Sequence, residues 1–315
     1  MKIKNILIIG LGSIGNKHLQ ILKKINDKID FFIIKKRDTF KNIAKIIDSY
    51  ALKLAIISSP ADTHLDYINF LKKKKINYLV EKPIIKDSQL KLFEKTYNKN
   101  PCITEIVGYQ LRYSKVLNRL KKILSTDKIG RIHNIKIVVN SYLPSWRKAP
   151  LKNSLSISKK KGGGVLLELS HEIDYMIWLF GKPKYLKSII DPNNVFKKGI
   201  DEKVCIFFYY TKKIVQMDMS FNSRIEEREI IINTRKGSLK ADLINKNIIW
   251  YNNNKPKLLF KTKQNNLDML NEQMGFFLNS VKNNKKINNV IKSLEVIKIV
   301  SLIRQSSLNN KKVKI

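Results

Sequence analysis

The chain has 315 residues, 43% hydrophobic and 9% aromatic, enough to divide into two domains that each bury a core. Its apolar runs fall far short of a membrane span, and its two cysteines, Cys102 and Cys205, argue against a disulfide framework or a zinc site. The formal charge of +37 points to a polyanion, but only nine of the 62 basic residues are arginine, and the lysines are spread along the whole chain. Base readout and bidentate phosphate contacts favour arginine, so no nucleic-acid partner is expected; the basic field could still help attract a phosphorylated or nucleotide-linked substrate. The N-terminus runs straight into an apolar strand and lacks the small-residue cleavage site of a signal peptide. The expectation is a reduced, cytoplasmic protein with no membrane partner.

Residues 3–9 are almost wholly apolar, as a parallel strand covered on both faces requires. A glycine turn follows, then a helical pattern over 14–25. Residues 30–34 form a second buried strand, 40–49 a short helix and 52–58 a third strand. A helix starts near 60–64, with Asp62 as its N-cap, and runs to about 74. Residues 77–81, 88–98 and 102–110 continue as strand, helix and strand. This alternation indicates a doubly wound parallel sheet.

The rhythm changes beyond residue 112. A helix over 114–124 precedes a long strand over 131–142 and an irregular polar stretch over 143–161. Residues 166–180 are helical and stop at Gly181, with Pro183 beyond. Strand-like runs at 204–210, 214–221 and 229–233 have no helices between them and indicate an antiparallel sheet. Helices over 267–281 and 290–304 close the chain. The predicted division is 1–112 for a dinucleotide-binding domain and 113–315 for a substrate-binding and oligomerisation domain, with the closing helices free to pack back on the first.

Three motifs carry chemistry. Gly10-Leu11-Gly12-Ser13-Ile14-Gly15 lies between a strand and a helix. The first glycine makes the turn, the second admits a pyrophosphate and the third lets the helix pack closely; the helix N-terminus then faces the phosphates. Ser13 and Ile14 open that helix. The acid that usually binds the ribose about 20 residues on is replaced by Lys35-Lys36-Arg37. Basic groups there favour a 2′-phosphate, hence NADP, with NAD the alternative. Glu81-Lys82-Pro83 puts a charged pair at the carboxyl end of a buried parallel strand, the edge at which such sheets bind ligands. After Gly162-Gly163-Gly164, the residues Glu168, His171, Asp174 and Tyr175 share one face of a helix. The face bearing Leu166, Leu169, Ile173, Ile177 and Phe180 is core. His171, flanked by two acids in a chain with four histidines, is a catalytic candidate. No other His or Cys shows ligand spacing, so no metal is expected.

Together with Ser58-Ser59-Pro60-x-x-x-His64, Gly108-Tyr109-x-x-Arg112-Tyr113 and the terminal helices, these motifs resemble the Gfo/Idh/MocA family of NAD(P)-dependent sugar and polyol oxidoreductases over nearly the whole chain. The resemblance implies an N-terminal Rossmann domain and a C-terminal α/β domain whose large, mostly antiparallel sheet often forms a dimer face. It implies that Lys82 is the catalytic lysine and His171 the helix histidine, oriented by Glu168 or Asp174. It also implies cofactor contacts at Ser58, Ser59, Pro60, His64, Glu81 and Lys82, and substrate contacts at Arg112 and Tyr175. The run Tyr142-Leu143-Pro144-Ser145-Trp146-Arg147 is similar to members from bacterial surface-glycan pathways, which adds Tyr142, Trp146 and Arg147 to the substrate set. Three features depart from the family. Leu167 stands where Asp is usual, four residues before the histidine, with Glu168 one residue closer. Residues 38–52 are short and lack a clear helix–strand pair. Residues 151–161 are rich in Lys and Ser where glycan-associated members tend to carry Tyr and Arg. The expected activity is reversible oxidation of a secondary hydroxyl on a sugar or sugar nucleotide. The alternative is a dinucleotide-binding sensor or scaffold without turnover.

Overall fold

The computed structural model describes residues 3–26, 28–35, 38–97, 103–146, 150–151, 154–253 and 255–315. The chain divides into Met1–Gln110 with Asn266–Ile297, and Leu111–Asn265 with Lys298–Ile315.

In the first unit, strands and helices alternate: β1 (Asn5–Ile9), α1 (Ser13–Ile25), β2 (Asp30–Ile34), α2 (Phe40–Ser49), β3 (Leu54–Ile57), α3 (His64–Lys73), β4 (Asn77–Val80), α4 (Leu90–Thr96) and β5 (Glu105–Val107). All strand pairs are parallel, in the order β2-β1-β3-β4-β5. Ile6–Ile9 and Leu54–Ile57 are buried at every position, which fits strands covered on both faces. After β2 the chain crosses back over β1, so the sheet changes direction between β1 and β3. Ligands bind beside the carboxyl ends of strands at such a switch. A later segment completes the core: Leu270, Met274, Phe277 and Val281 of α8 (Asn266–Lys282) pack with Ile6, Ile8, Ile21, Leu22, Leu54 and Ile56.

Two local expectations are corrected. β2 is an edge strand rather than a buried one: Phe31 and Phe32 are half-buried and Ile33 is 36% exposed, because only β1 flanks it. Asp62 does not cap a helix. It lies in a 3-10 turn, Ala61–Thr63, entered from Pro60, and α3 begins at His64 without a side-chain cap.

The second unit holds α5 (Lys115–Leu124), β6 (Ile132–Tyr142), α6 (Val165–Glu168), α7 (Ser170–Phe180), β7 (Tyr185–Ile190), β8 (Lys203–Tyr209), β9 (Ile214–Ser220), β10 (Asn222–Thr234), β11 (Gly237–Asp242), β12 (Asn247–Tyr251) and β13 (Lys257–Lys261). Near the C-terminus come α9 (Val290–Asn309), which begins in the first unit, and β14 (Val313–Lys314). Nine strands run in the order β13-β12-β11-β10-β6-β9-β8-β7-β14. Every pair is antiparallel except β6 with β9. Val204, Ile206 and Phe208, Val215, Met217 and Met219, and Ile230 and Ile232 alternate onto one buried face. The predicted helix over 166–180 is instead two helices. Leu169, at φ −99° and ψ 28°, breaks it. The strand seen as 229–233 is the end of a 13-residue β10, whose register shifts between Asn222 and Glu227. Among the described residues, no helix is long and apolar enough to cross a membrane.

Candidate active site

At the carboxyl ends of β1, β3 and β4 the first unit builds a cradle. Gly10 takes φ +88°, and a Cβ there would lie 2.7 Å from the Ser59 backbone nitrogen, so only glycine lets the loop pass. A Cβ at Gly15 would collide with the Gly10 carbonyl and lie 2.7 Å from Ser58 Oγ. The missing side chain seats α1 directly on the loop. A Cβ at Gly12, by contrast, would meet nothing within 4 Å. The space above the loop is open. Ser13 and Ile14 begin α1, whose first turn carries no acidic residue. Its first amides lack intrahelical partners and present a partial positive charge. This arrangement fits a pyrophosphate.

The residues around the cradle hold it in shape. Ser58 Oγ donates to the Gly10 carbonyl at 2.6 Å, tying the end of β3 to the glycine loop. Ser59 Oγ pairs with Thr63 Oγ1 at 2.7 Å, and Pro60 starts the turn into α3. His64 is 1% exposed. Its Nε2 lies 2.8 Å from the Ser59 carbonyl and its Nδ1 lies 3.0 Å from that of Pro83. Burial lowers its pKa against the pull of these carbonyls. Predicted as a cofactor contact, His64 instead sits between the carbonyls of Ser59 and Pro83, and in its neutral form its single N–H donates to one of them. Glu81 was also expected at the cofactor; its Oε1 lies 2.7 Å from His18 Nε2 in a buried pair. His18 was not foreseen, yet it had a signal: it interrupts the apolar stripe of Ile14, Ile21 and Leu22 on α1. Lys82 follows, half-buried, with its amide donating to Glu81 Oε2 at 3.3 Å and a cis peptide to Pro83. Lys35 is exposed, and its amide donates to Asp38 Oδ2 at 2.6 Å. Lys36 and Arg37 lie outside the described residues, as does Arg147.

The second unit assembles the other candidates around α7. His171 is 8% exposed and Asp174 4%. Asp174 was expected to orient the histidine. Instead Arg112 grips its carboxylate, Nε at 2.6 Å from one oxygen and Nη2 at 2.8 Å from the other. The same guanidinium lies 4.9 Å over the Trp178 ring. Burial pushes the Asp174 carboxyl above the usual carboxylate range, although Arg112 pulls it down. Glu168, the other proposed orienting acid, accepts from Ser156 Oγ at 2.9 Å. Leu169 ends the short helix that carries Glu168, and His171 stands in the next one. Tyr175 was expected at the substrate. It is fully buried, and its hydroxyl has no hydrogen-bond partner among the described residues. Burial, with Glu172 nearby, raises its pKa well above the ordinary tyrosine value. The polar face of α7 is therefore interior rather than solvated.

Its missed member is Glu172, completely buried and held by Arg228 of β10, Nε to Oε1 at 2.8 Å. A separation of 56 residues hid the pair from sequence reasoning. The glycine triplet also has a physical cause. A Cβ at Gly163 would lie 2.5 Å from the carbonyls of Leu155 and Ser156, and one at Gly164 (φ +106°) would strike Asp201. Asp201 in turn accepts from the Leu166 amide at 3.0 Å and from Arg304 Nη2 at 2.9 Å. Elsewhere in the unit, Tyr142 lies under the Arg224 guanidinium at 4.1 Å and accepts its Nη2 at 3.0 Å. Trp146 packs edge-on against Phe221. Among the described residues, no group of three or more His, Cys, Asp and Glu is placed to hold a metal ion.

Comparison with known proteins agrees with this architecture. The family pattern described as "Oxidoreductase family, NAD-binding Rossmann fold" matches residues 4–103, and "Oxidoreductase family, C-terminal alpha/beta domain" matches residues 121–315; both are Gfo/Idh/MocA patterns. The chain belongs to that family. It is 23% identical over 193 residues to myo-inositol 2-dehydrogenase of Thermotoga maritima, covering 56% of this chain and 54% of that protein. The chain spans about half the length of the curated relatives it matches. Among solved structures, levoglucosan dehydrogenase in complex with NADH superposes with a TM-score of 0.82 at 13% identity, covering 100% of this chain and 99% of that one. A super-repressor mutant of Gal80p from Saccharomyces cerevisiae superposes with a TM-score of 0.79 at 13% identity, covering 99% of this chain and 98% of that one. At such identities the likeness establishes the fold.

Proposed function

We propose that this member of the Gfo/Idh/MocA family transfers a hydride between a nicotinamide dinucleotide and a secondary hydroxyl or ketone of a sugar, polyol or sugar nucleotide. The observation that carries this is the placement of Lys82. It follows β4, while the glycine loop follows β1, on the same carboxyl edge of one parallel sheet. Two strand spacings, about 10 Å, separate them along that edge. The inositol and levoglucosan dehydrogenases support the substrate class by their names.

The dinucleotide, when bound, supplies the hydride acceptor or donor. Gly10, Gly12 and Gly15 leave room for its phosphates, and the first turn of α1 offers them amides. Lys82 takes the hydroxyl proton. A free lysine, with a pKa near ~10.4, is a poor base at neutral pH, so desolvation or a nearby positive charge must assist it. His171 hydrogen-bonds the reacting oxygen. Because Arg112 occupies Asp174, that pair acts by fixing the turn of α7 that carries His171. Residues up to about 112 bind the dinucleotide and the rest bind substrate, with Tyr142, Trp146 and Arg147 placing the substrate among surface-glycan sugars. Lys35, Lys36 and Arg37 favour NADP: Asp38, the nearest acid, is turned back onto its own loop. The outer face of the large sheet, with Ile189 60% exposed and Phe207 40%, joins two copies.

A second reading is a protein that binds the dinucleotide without turnover; a repressor among the proteins of the same fold, by its name, favours it. One experiment separates the two. The protein is incubated with oxidised dinucleotide and a panel of polyols, sugars and sugar nucleotides carrying deuterium at the carbinol carbons. Deuterium recovered in the reduced nicotinamide supports the dehydrogenase. Dinucleotide binding with no transfer from any compound supports the sensor.

A further inference from the structure

A second cavity lies wholly within the second unit, between α5, the turn Asp127–Ile129 and strands β11 to β13. Its volume is about 640 Å³, within the range of small-molecule sites. Arg119, Lys122, Lys128, Lys236 and Lys257 line it, and no acidic residue does among the described residues. None of the five makes an ion pair among the described residues. Three other arginines of this unit are neutralised: Arg112 by Asp174, Arg228 by Glu172 and Arg304 by Asp201. Five like charges around one hollow repel each other, and an anion entering it relieves that repulsion. Arg119 adds specificity: it is one of nine arginines in a lysine-dominated chain, and its planar fork suits phosphate.

The cavity also has an aromatic wall. Trp250 lines it together with Ile123, Ile129 and Leu259. The indole is seated against Gly237, where a Cβ would come within 2.8 Å of the ring. Backbone rather than a mobile side chain fixes that face of the ring. The stem of Lys236 passes Gly130 in the same way, 3.2 Å from where a Cβ would stand. A hollow that combines a fixed indole, aliphatic walls and five uncompensated cations matches a ligand with a flat aromatic ring and several negative charges.

We propose that this cavity binds a nucleoside di- or triphosphate, its base stacked on Trp250 and its phosphates held by Arg119, Lys122 and Lys236. The site shares no residue with the dinucleotide cradle or with the α7 cluster and stands independently of the proposed activity. Base–aromatic stacking and charge-assisted phosphate contacts are each strong enough to register in affinity.

The test uses ATP as probe, titrated by calorimetry and tryptophan fluorescence into the full chain in saturating NADPH, which fills the glycine-loop site. The expected result is one ATP per chain with a change in tryptophan emission. Arg119→Glu and Lys122→Glu should each weaken ATP binding about tenfold or more. Both residues are exposed on the solvent side of α5, so these variants remain folded. Trp250→Leu should remove the emission change and lower ATP affinity to that of inorganic tripolyphosphate. The proposal is overturned if the loaded protein takes up no ATP, or if both charge reversals leave ATP affinity unchanged. It is equally overturned if tripolyphosphate binds the wild type as tightly as ATP, or if an RNA oligonucleotide binds tighter than ATP and is lost in the same variants.

Discussion

Replacing Arg112 with methionine keeps most of the side-chain volume but strands Asp174 where only 4% of it is exposed. The wild-type carboxylate receives two charge-assisted hydrogen bonds, at 2.6 and 2.8 Å. Breaking a buried pair from one side costs about 3–5 kcal/mol. The Arg112 side chain is 31% exposed, so water reaches the pair and the lower end applies, about 3 kcal/mol. Losing the stack over Trp178 adds ~0.5–1 kcal/mol. The cost has a defined pH dependence. The folded Asp174 carboxyl already titrates above its unfolded value, and removing Arg112 raises it further. The native state then binds more protons than the unfolded state, so the deficit is complete above the raised pKa and shrinks as pH falls through it. Urea unfolding followed by tryptophan emission measures this, because Trp146, Trp178 and Trp250 all belong to the second unit. The expected loss near neutral pH corresponds to about 7–16 °C in Tm, narrowing in mild acid, and Arg112→Met/Asp174→Asn should recover most of it. A deficit that is flat with pH, or a double variant no better than the single, refutes the reasoning.

Neutralising Lys35, Lys36 and Arg37 together should weaken NADPH binding by ~1.5–3 kcal/mol more than NADH binding; equal losses in a fluorescence titration would remove the 2′-phosphate assignment. His64 is held neutral by burial, with its pKa below 6.5. Stability from it is complete above 6.5 and lost as pH falls through the lowered pKa, so the protection factors of the β3 and β4 amides, corrected for the intrinsic pH dependence of exchange, should fall in mild acid and do so less in His64→Asn. Glu105→Ala should destabilise the first unit by about 3–5 kcal/mol, because it strips a fully buried carboxylate from Lys72, Tyr78, Tyr97 and Asn288. Exchange around residue 288 reports that loss, and unchanged protection there would contradict it.

The parallel sheet was legible because Ile6–Ile9, Leu54–Ile57 and Tyr78–Val80 are apolar at every position, which only strands covered on both faces require. The same logic misread β2. Phe-Phe-Ile-Ile looks buried in sequence, and its edge position depends on the absence of a neighbour, which is not a local property. In α7 the spacing of His171, Asp174 and Tyr175 was visible. The turn at Leu169, which puts Glu168 and His171 on separate helices, was not, since leucine carries no helix-breaking signal. Arg112 with Asp174 and Arg228 with Glu172 join residues more than fifty positions apart, so neither pairing is visible in the sequence, where Arg112 reads as a substrate contact and Asp174 as an acid orienting His171. The parallel pairing of β6 with β9 likewise joins strands separated by the entire α6–α7 segment. The polar run Arg224-Ile225-Glu226-Glu227 masked the irregular first half of β10.

The central claim is that Lys82 performs the proton transfer while the glycine loop, independently, holds the dinucleotide. Lys82→Ala tests it most directly when turnover and dinucleotide affinity are measured on the same preparation, with the sugar or polyol that gives deuterium transfer in the wild type. The account predicts loss of turnover by a factor of about 10²–10⁴, with dinucleotide affinity changed by less than about threefold, below 1 kcal/mol. A Lys82→Ala protein that turns over at the wild-type rate contradicts the account, and so does one that loses turnover only because it no longer binds the dinucleotide.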